Sequence, residues 1–171
     1  IATAFRAAGD DVFIGDVDEG AAAAVAAEIG ATALPLDIGD EASVQAAAGR
    51  IRESGGLDVL VNNAGVLGAP YRLTAEGVET HFATNYLGHY ALTLLLLPAI
   101  RDRVVVTGSR EHRSSRLGLA DLDDLDWQRR HYRPFRAYAD SKLADLLFLA
   151  ELDRRLRAHG STVRAVGAHP G

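Results

Sequence analysis

The chain contains no cysteine and no methionine in its 171 residues. Without cysteine there are no disulfides and no thiolate chemistry, which rules out a stapled secreted scaffold and a cysteine nucleophile. A reducing compartment is compatible with this, and a cytoplasmic location is expected. Methionine is absent even at the first position. "IATAFRAAGDDVFIGD" opens in the middle of a helix that runs into a strand, and "VRAVGAHPG" closes on a strand and a turn. The expectation is a single domain over residues 1–171, truncated at both ends. Positive charge is also in short supply. With 18 Lys and Arg against 23 Asp and Glu, the net charge is −5. Neutralising a phosphate backbone needs a positive excess, so no nucleic-acid partner is expected. The longest apolar run, "ALTLLLLPAI", is too short to span a bilayer, so no membrane span is expected.

What is present is an ordinary globular balance, 48% hydrophobic and 24% charged, arranged in alternating patterns. Residues 11–16, "DVFIGD", are a short β-rich run, and "DEGAAAAVAAEIG" is an Ala-rich helix closed by Gly30. "TALPLD" (32–37) is again strand-like, and Asp40 and Ser43 signal the start of the next helix. "LDVLVNN" (57–63) and "RVVVTG" (103–108) have the β-branched character of strands buried on both faces. A long helix is expected over 74–97, stopped near Pro98, then a long polar loop over 110–134. A last helix spans 135–158 and a last strand 162–169. Strands alternating with helices imply a mostly parallel sheet covered on both faces, an α/β fold.

In doubly wound sheets a ligand lies beyond the carboxyl ends of the strands. Those ends here carry Asp16, Asp37-Ile38, Asn62-Asn63-Ala64-Gly65, Thr107-Gly108-Ser109 and Pro170-Gly171. Taken one at a time, these are also what turns and helix caps look like; their common position is what suggests a dinucleotide. The last helix adds "AYADSKLADL" (137–146), in which Tyr138 and Lys142 sit one turn apart on one face. An ammonium close to a phenol favours the phenolate and makes a general acid/base. The pair can equally be two amphipathic side chains on a wet helix face.

In order along the chain, "NNAG" at 62–65, Asn85 in "TNYLGHYALT", Ser109 after "RVVV", "YADSK" at 138–142 and "HPG" at 169–171 resemble the motifs of the short-chain dehydrogenase/reductase family. "NYLGHYALTLLLLP" and "SKLADLLFLAELDRRL" are most similar to its retinol-dehydrogenase-like branch. The resemblance covers essentially the whole chain. It implies a Rossmann-like doubly wound parallel sheet and an NAD(P)-dependent oxidoreductase acting on a small-molecule alcohol or carbonyl. Tyr138 would exchange a proton with the substrate oxygen, and Lys142 would hold the nicotinamide ribose. Ser109 would hydrogen-bond the substrate oxygen, and Asn85 would hold a water on the proton path. Asp16, Asp37, Ile38, Asn63, Ala64, Gly65, Pro170 and Gly171 would line the cofactor. Asp16, at a strand end and followed by Val17 rather than Arg, implies NAD in preference to NADP. A homodimer or homotetramer through the helices 74–97 and 135–158 is also implied.

The chain departs from the family in having no first strand and no Gly-rich turn of the T-G-x-x-x-G-x-G kind, and no segment after "HPG". That strand would lie between those ending at Asp16 and Asn63, so either an open slot or a collapse of the two is expected, with the slot favoured. The 171 residues alone are expected to be unstable and inactive. Other residues draw weaker expectations. His112 reads as a loop residue, Trp127 as a hydrophobic anchor for loop 110–134, and His81 and His89 have no second ligand at metal-like spacing, so no metal is expected. A sugar-nucleotide epimerase or dehydratase, which also uses Tyr-x-x-x-Lys, and a non-catalytic nucleotide-binding module are the alternatives.

Overall fold

The computed structural model describes residues 1–169; Pro170 and Gly171, assigned above to the cofactor, lie outside the described residues. Five strands alternate with helices: α1 (Ala2–Ala8), β1 (Phe13–Asp16), α2 (Glu19–Ile29), β2 (Thr32–Pro35), α3 (Glu41–Glu53), β3 (Leu57–Asn62), α4 (Thr80–Phe82), α5 (Gly88–Leu96), β4 (Ile100–Thr107), α6 (Pro134–Ala158) and β5 (Arg164–Ala168). All strand pairs are parallel, as the alternation requires. Side-chain caps open α2 and α3, the second at Asp40 as read from sequence. Asp18 accepts a hydrogen bond from the Ala21 N–H at the start of α2, and Asp40 accepts one from the Ala42 N–H at the start of α3. Each side chain satisfies a backbone donor that has no partner in the first turn.

The sheet is in two parts. β1 pairs with β2, and β3, β4 and β5 pair in that order, while β1 and β3 form no pairing with each other. The parts nevertheless share one hydrophobic core. Leu34, Val44 and Ile51 from the first side meet Leu60, Leu92, Leu96, Val104 and Val106 from the second. Helix α3 packs on α5. Gly88, at the start of α5, sits where a Cβ would overlap the Ile38 carbonyl oxygen. Only glycine lets the helix approach the loop after β2 so closely.

The expected helix over 74–97 is corrected at its start and its middle. The Gly77 N–H bonds to the Thr74 carbonyl, Gly77 has φ +83°, and Leu73 bridges Glu79 antiparallel. A turn needing positive φ cannot be helix, so α4 begins at Thr80, where Glu79 accepts the Phe82 N–H. The next five residues, Ala83–Leu87, are π-helical before α5 resumes. Pro98 falls in a 3₁₀ turn, Leu97–Ala99, as the stop at proline implied. The segment 110–134 is more ordered than a polar loop: it contains 3₁₀ turns at Arg110–Ser114 and Leu119–Asp124. Trp127 is its anchor, 6% exposed, edge-on to Tyr132 and 4.1 Å beneath the Arg130 guanidinium.

Candidate active site

Helix α6 starts with Pro134 in its first turn, where proline has no N–H to waste and the right φ. One turn later it passes the ends of β3 and β4. There Asn63, Gly65, Thr107, Ser109, Tyr138 and Lys142 line a single cavity of ≈ 480 Å³. Tyr138 is half-buried. Lys142 is 5% exposed, and its Nζ lies 6.0 Å from the centre of the Tyr138 ring. The i, i+4 spacing therefore places phenol and ammonium in one small volume. The Lys142 ammonium donates to the Thr107 carbonyl (3.0 Å) and to Asp145 Oδ2 (2.9 Å).

Ser109 leaves β4 as the cap of the 3₁₀ turn, its Oγ accepting the Glu111 N–H at 3.2 Å. Its carbonyl lies 2.6 Å from His112 Nδ1, which gives His112 the loop-packing place expected of it. Asn85 lies in the π-helical segment, fully buried. Its amide accepts from the Val66 N–H (2.8 Å) and donates to the Val66 carbonyl (3.1 Å) and to Ser141 Oγ (3.0 Å). It thus ties the loop after β3 to α6, and π segments inside helices are frequent at functional sites. Gly65 packs against this amide, where a Cβ would come 3.3 Å from Asn85 Oδ1. The result is bare backbone on the cavity wall, a surface a flat ring or a ribose can approach. That, with the strand-end position and the phenol–ammonium pair, fits a nicotinamide nucleotide.

The remaining sequence-predicted residues are spread more widely. Asp16 is exposed at the end of β1, one oxygen accepting the Asp18 N–H. Asp37 is exposed beyond β2, accepting from the Gly39 N–H, while its own N–H donates to Ser43 Oγ. Asn63 accepts a hydrogen bond from the Thr107 hydroxyl at 3.0 Å, and Ala64 beside it is exposed. The Ile38 side chain departs from its assignment. It is buried in the core, and the Ile38 carbonyl oxygen lies against Gly88.

Three groups were missed. Asp145 is fully buried, with its second oxygen unpartnered; burial, opposed by Lys142, pushes its carboxyl up to about 6. Among the described residues His89 has no hydrogen-bond partner on either ring nitrogen, and burial together with the Lys142 charge lowers its pKa to about 4. The third is a buried cluster beside Tyr138. The Ala69 N–H donates to His81 Nε2 at 3.1 Å, so Nδ1 carries the proton toward Glu79 Oε1, 2.8 Å away. The Tyr132 hydroxyl lies 2.9 Å from the same Glu79 oxygen. Burial raises the Glu79 pKa, but hydrogen bonds from His81, the Phe82 N–H and Tyr132 outweigh it and hold the carboxyl below its usual range. The His81 ring stands edge-on to Tyr138, centroids 6.3 Å apart. Asp145 was legible, three residues beyond Lys142 on the same face. The His81–Tyr132 contact spans fifty-one residues and left no local signal.

With parallel strands, a strand-end cavity and a Tyr–Lys–Ser constellation in it, the chain belongs to the short-chain dehydrogenase/reductase family. The profile of a family described as Enoyl-(Acyl carrier protein) reductase matches residues 1–114. Among curated relatives, retinol dehydrogenase 13 of Homo sapiens is 42% identical over 141 residues, covering 80% of this chain and 41% of that protein. A polyprenol dehydrogenase of Mus musculus is 44% identical over 147 residues, covering 81% of this chain and 43% of that protein. The chain therefore spans less than half the length of these relatives. Among solved structures, a protein of Mycobacterium paratuberculosis is 45% identical with a TM-score of 0.86, over 94% of this chain and 58% of that one. A short-chain dehydrogenase of Burkholderia cenocepacia, solved in complex with NADP, is 28% identical with a TM-score of 0.77, over 99% of this chain and 67% of that one. Among the described residues no helix is long and apolar enough to cross a membrane.

Proposed function

We propose that the whole protein is a nicotinamide-dependent oxidoreductase that interconverts an alcohol and its carbonyl compound. The observation that carries this reading is the meeting of Tyr138, Lys142 and Ser109 in one cavity at the end of β4. When bound, the nicotinamide supplies or accepts the hydride. The chain's own residues handle the proton. Tyr138 exchanges it with the substrate oxygen, while Ser109 donates a hydrogen bond to that oxygen as charge develops on it. Lys142 stabilises the ionised phenol and holds the ribose. Asn85 keeps the loop after β3 and helix α6 in register, and its place beside Ser141 supports a role on the proton path.

Asp16, Asp37, Asn63, Ala64 and Gly65 would hold the nucleotide. NAD is the preferred form, since the exposed Asp16 carboxylate accepts hydrogen bonds from ribose hydroxyls and repels a 2′-phosphate. The neighbouring residue is the apolar, exposed Val17, which offers no cation for that phosphate. Resemblance to retinol and polyprenol dehydrogenases supports a lipophilic alcohol as substrate. Tyr90 and Leu94 on α5 and Leu147 on α6 are large apolar side chains left exposed, which supports a homodimer through these helices.

The test is Tyr138→Phe in the protein encoded by the complete reading frame, assayed with NAD and a panel of long-chain alcohols. Activity should fall by about 10²–10⁴-fold, the usual worth of a positioned acid/base. Retention of more than a few per cent would remove Tyr138 from this role.

A further inference from the structure

The reading above uses Lys142 as a fixed positive charge, yet Lys142 is not alone. Its ammonium is held from two sides, by the Thr107 carbonyl at the end of β4 and by Asp145 one turn further along α6. Asp145 is entirely shielded from solvent, and its second oxygen, also buried, has no hydrogen-bond partner among the described residues. A carboxylate placed so is costly to keep ionised, and its one compensating contact is Lys142. The charge on the ammonium that faces Tyr138 is thus the charge of a pair.

We propose that Asp145 is a positioning residue that fixes Lys142 against the end of β4 and, by gaining or losing its proton, sets the net charge presented to the cavity. With Asp145 ionised the pair has no net charge, and the ammonium's stabilisation of the phenolate is weakened. With Asp145 protonated the hydrogen bond to Lys142 can persist, but the pair carries a full positive charge. The proposal rests on the oxidoreductase reading only for what that charge does to the reaction; the pairing itself does not depend on it.

Other groups around the pair do not substitute for this role. Tyr86, on the π-helical segment, has a phenol pushed up by burial first and then by the charges of Tyr90 and Asp145, so it stays neutral. His89 on α5 is held uncharged down to about pH 4 by its burial and by Lys142. Strand β4 contributes the Thr107 carbonyl. Glu111 and His169 line the cavity that Lys142 shares with Tyr138, so a difference between variants, rather than a single profile, is the needed readout.

The experiment has two arms, both on the protein encoded by the complete reading frame. In the first, aspartates labelled at Cγ are followed by NMR against pH, with the Asp145 resonance assigned by its loss in Asp145→Asn. An inflection near pH 6 is expected, and it should move upward in Lys142→Met, which removes the cation that favours the carboxylate. In the second, kcat/KM is compared for the unmodified protein and Asp145→Asn, whose amide imitates the protonated acid. The two should agree below pH 6 and diverge by about tenfold at alkaline pH, the effect of one pKa unit of interaction. If Asp145→Asn does not fold, Asp145→Ser takes its place in both arms. An Asp145 resonance that titrates like an exposed carboxylate, and is indifferent to Lys142→Met, overturns the proposal. So does a kcat/KM ratio constant across pH, which is what a purely structural role gives. Absence of any dehydrogenase activity, with the NMR inflection present, overturns the oxidoreductase reading and leaves the pair standing.

Discussion

The two parts of the sheet were equally visible as strands and are unequally built. In the pair β1–β2, each strand has four residues, and Leu34 is the one strand residue that is buried. Helix α1 buries nothing, α2 buries two alanines, and α3, which buries Val44, Ala47, Ala48 and Ile51, packs chiefly on α5 rather than on this pair. In β3–β4–β5, Leu60, Ile100, Val104, Val106 and Ala165 are all buried, and α5 and α6 supply Leu92, Leu96, Phe148 and Leu152. Asn85, Ser109, Tyr138 and Lys142 belong to the second part, while Asp16 and Asp37 belong to the first. The chemistry that must be held rigidly stands on the dense side, and the carboxylates assigned to the nucleotide stand on the thin one. Strand β1 also has one partner where a central strand has two, and unpaired backbone groups weaken an edge.

This contrast can be broken in several ways. The largest effect is expected from Leu96→Ala, since Leu96 is 0% exposed. Urea unfolding should show a loss of about 3–5 kcal/mol, the transfer and cavity cost of a buried leucine. A loss below about 1 kcal/mol would mean the core is not where it has been placed. Gly88→Ala should cost about 1–3 kcal/mol by overpacking, because α5 must retreat from the Ile38 carbonyl. It should also loosen the β1–β2 part first, visible as faster amide exchange in 13–16 than in 103–107.

Acid sharpens the comparison further. His89 has a folded pKa of about 4 against an ordinary 6.5, so between those values the unfolded chain binds the extra proton. Stability from this group is present above about pH 6.5 and is lost as pH falls toward 4. Asp145 works the other way, its raised folded pKa favouring the folded state below about 6. In His89→Gln the decline between pH 6.5 and 4 should be shallower by roughly 2 kcal/mol. An unchanged slope would place His89 in contact with water. On the thin side the effects should be small. Asp18→Ala removes the cap of α2 and should cost about 1 kcal/mol, and Val25→Ala, at an exposed position, less than about 0.5 kcal/mol. If Val25→Ala cost as much as Leu96→Ala, something would be covering α2 that the core does not show.

How much could be read ahead follows from how local each feature is. Tyr138 and Lys142 declared themselves through helical spacing, and Asn63, Gly65, Thr107 and Ser109 through their place at strand ends. The helix expected over 74–97 failed at Gly77. Apolar spacing continues smoothly through "LTAEGVETHF", and nothing short of the turn and the Leu73–Glu79 bridge says that the helix starts at Thr80. The burial of Ile38 has a related reason: residues just after a strand can point to the site or to the core, and this side chain packs into the core. The Glu79–His81–Tyr132 cluster joins residues far apart in the chain, and such a contact leaves no periodicity to detect.

By itself, the sequence determined the alternation of strands and helices, the cap at Asp40, the stop at Pro98 and the one-turn spacing of phenol and amine, because each depends on neighbours within a few residues. Only the tertiary structure decided that β1 and β3 do not pair, that a π turn around Asn85 clamps the loop at Val66, and that Lys142 shares its charge with a buried Asp145. Those outcomes depend on which surfaces exclude water from one another, and exclusion is a property of the packed whole.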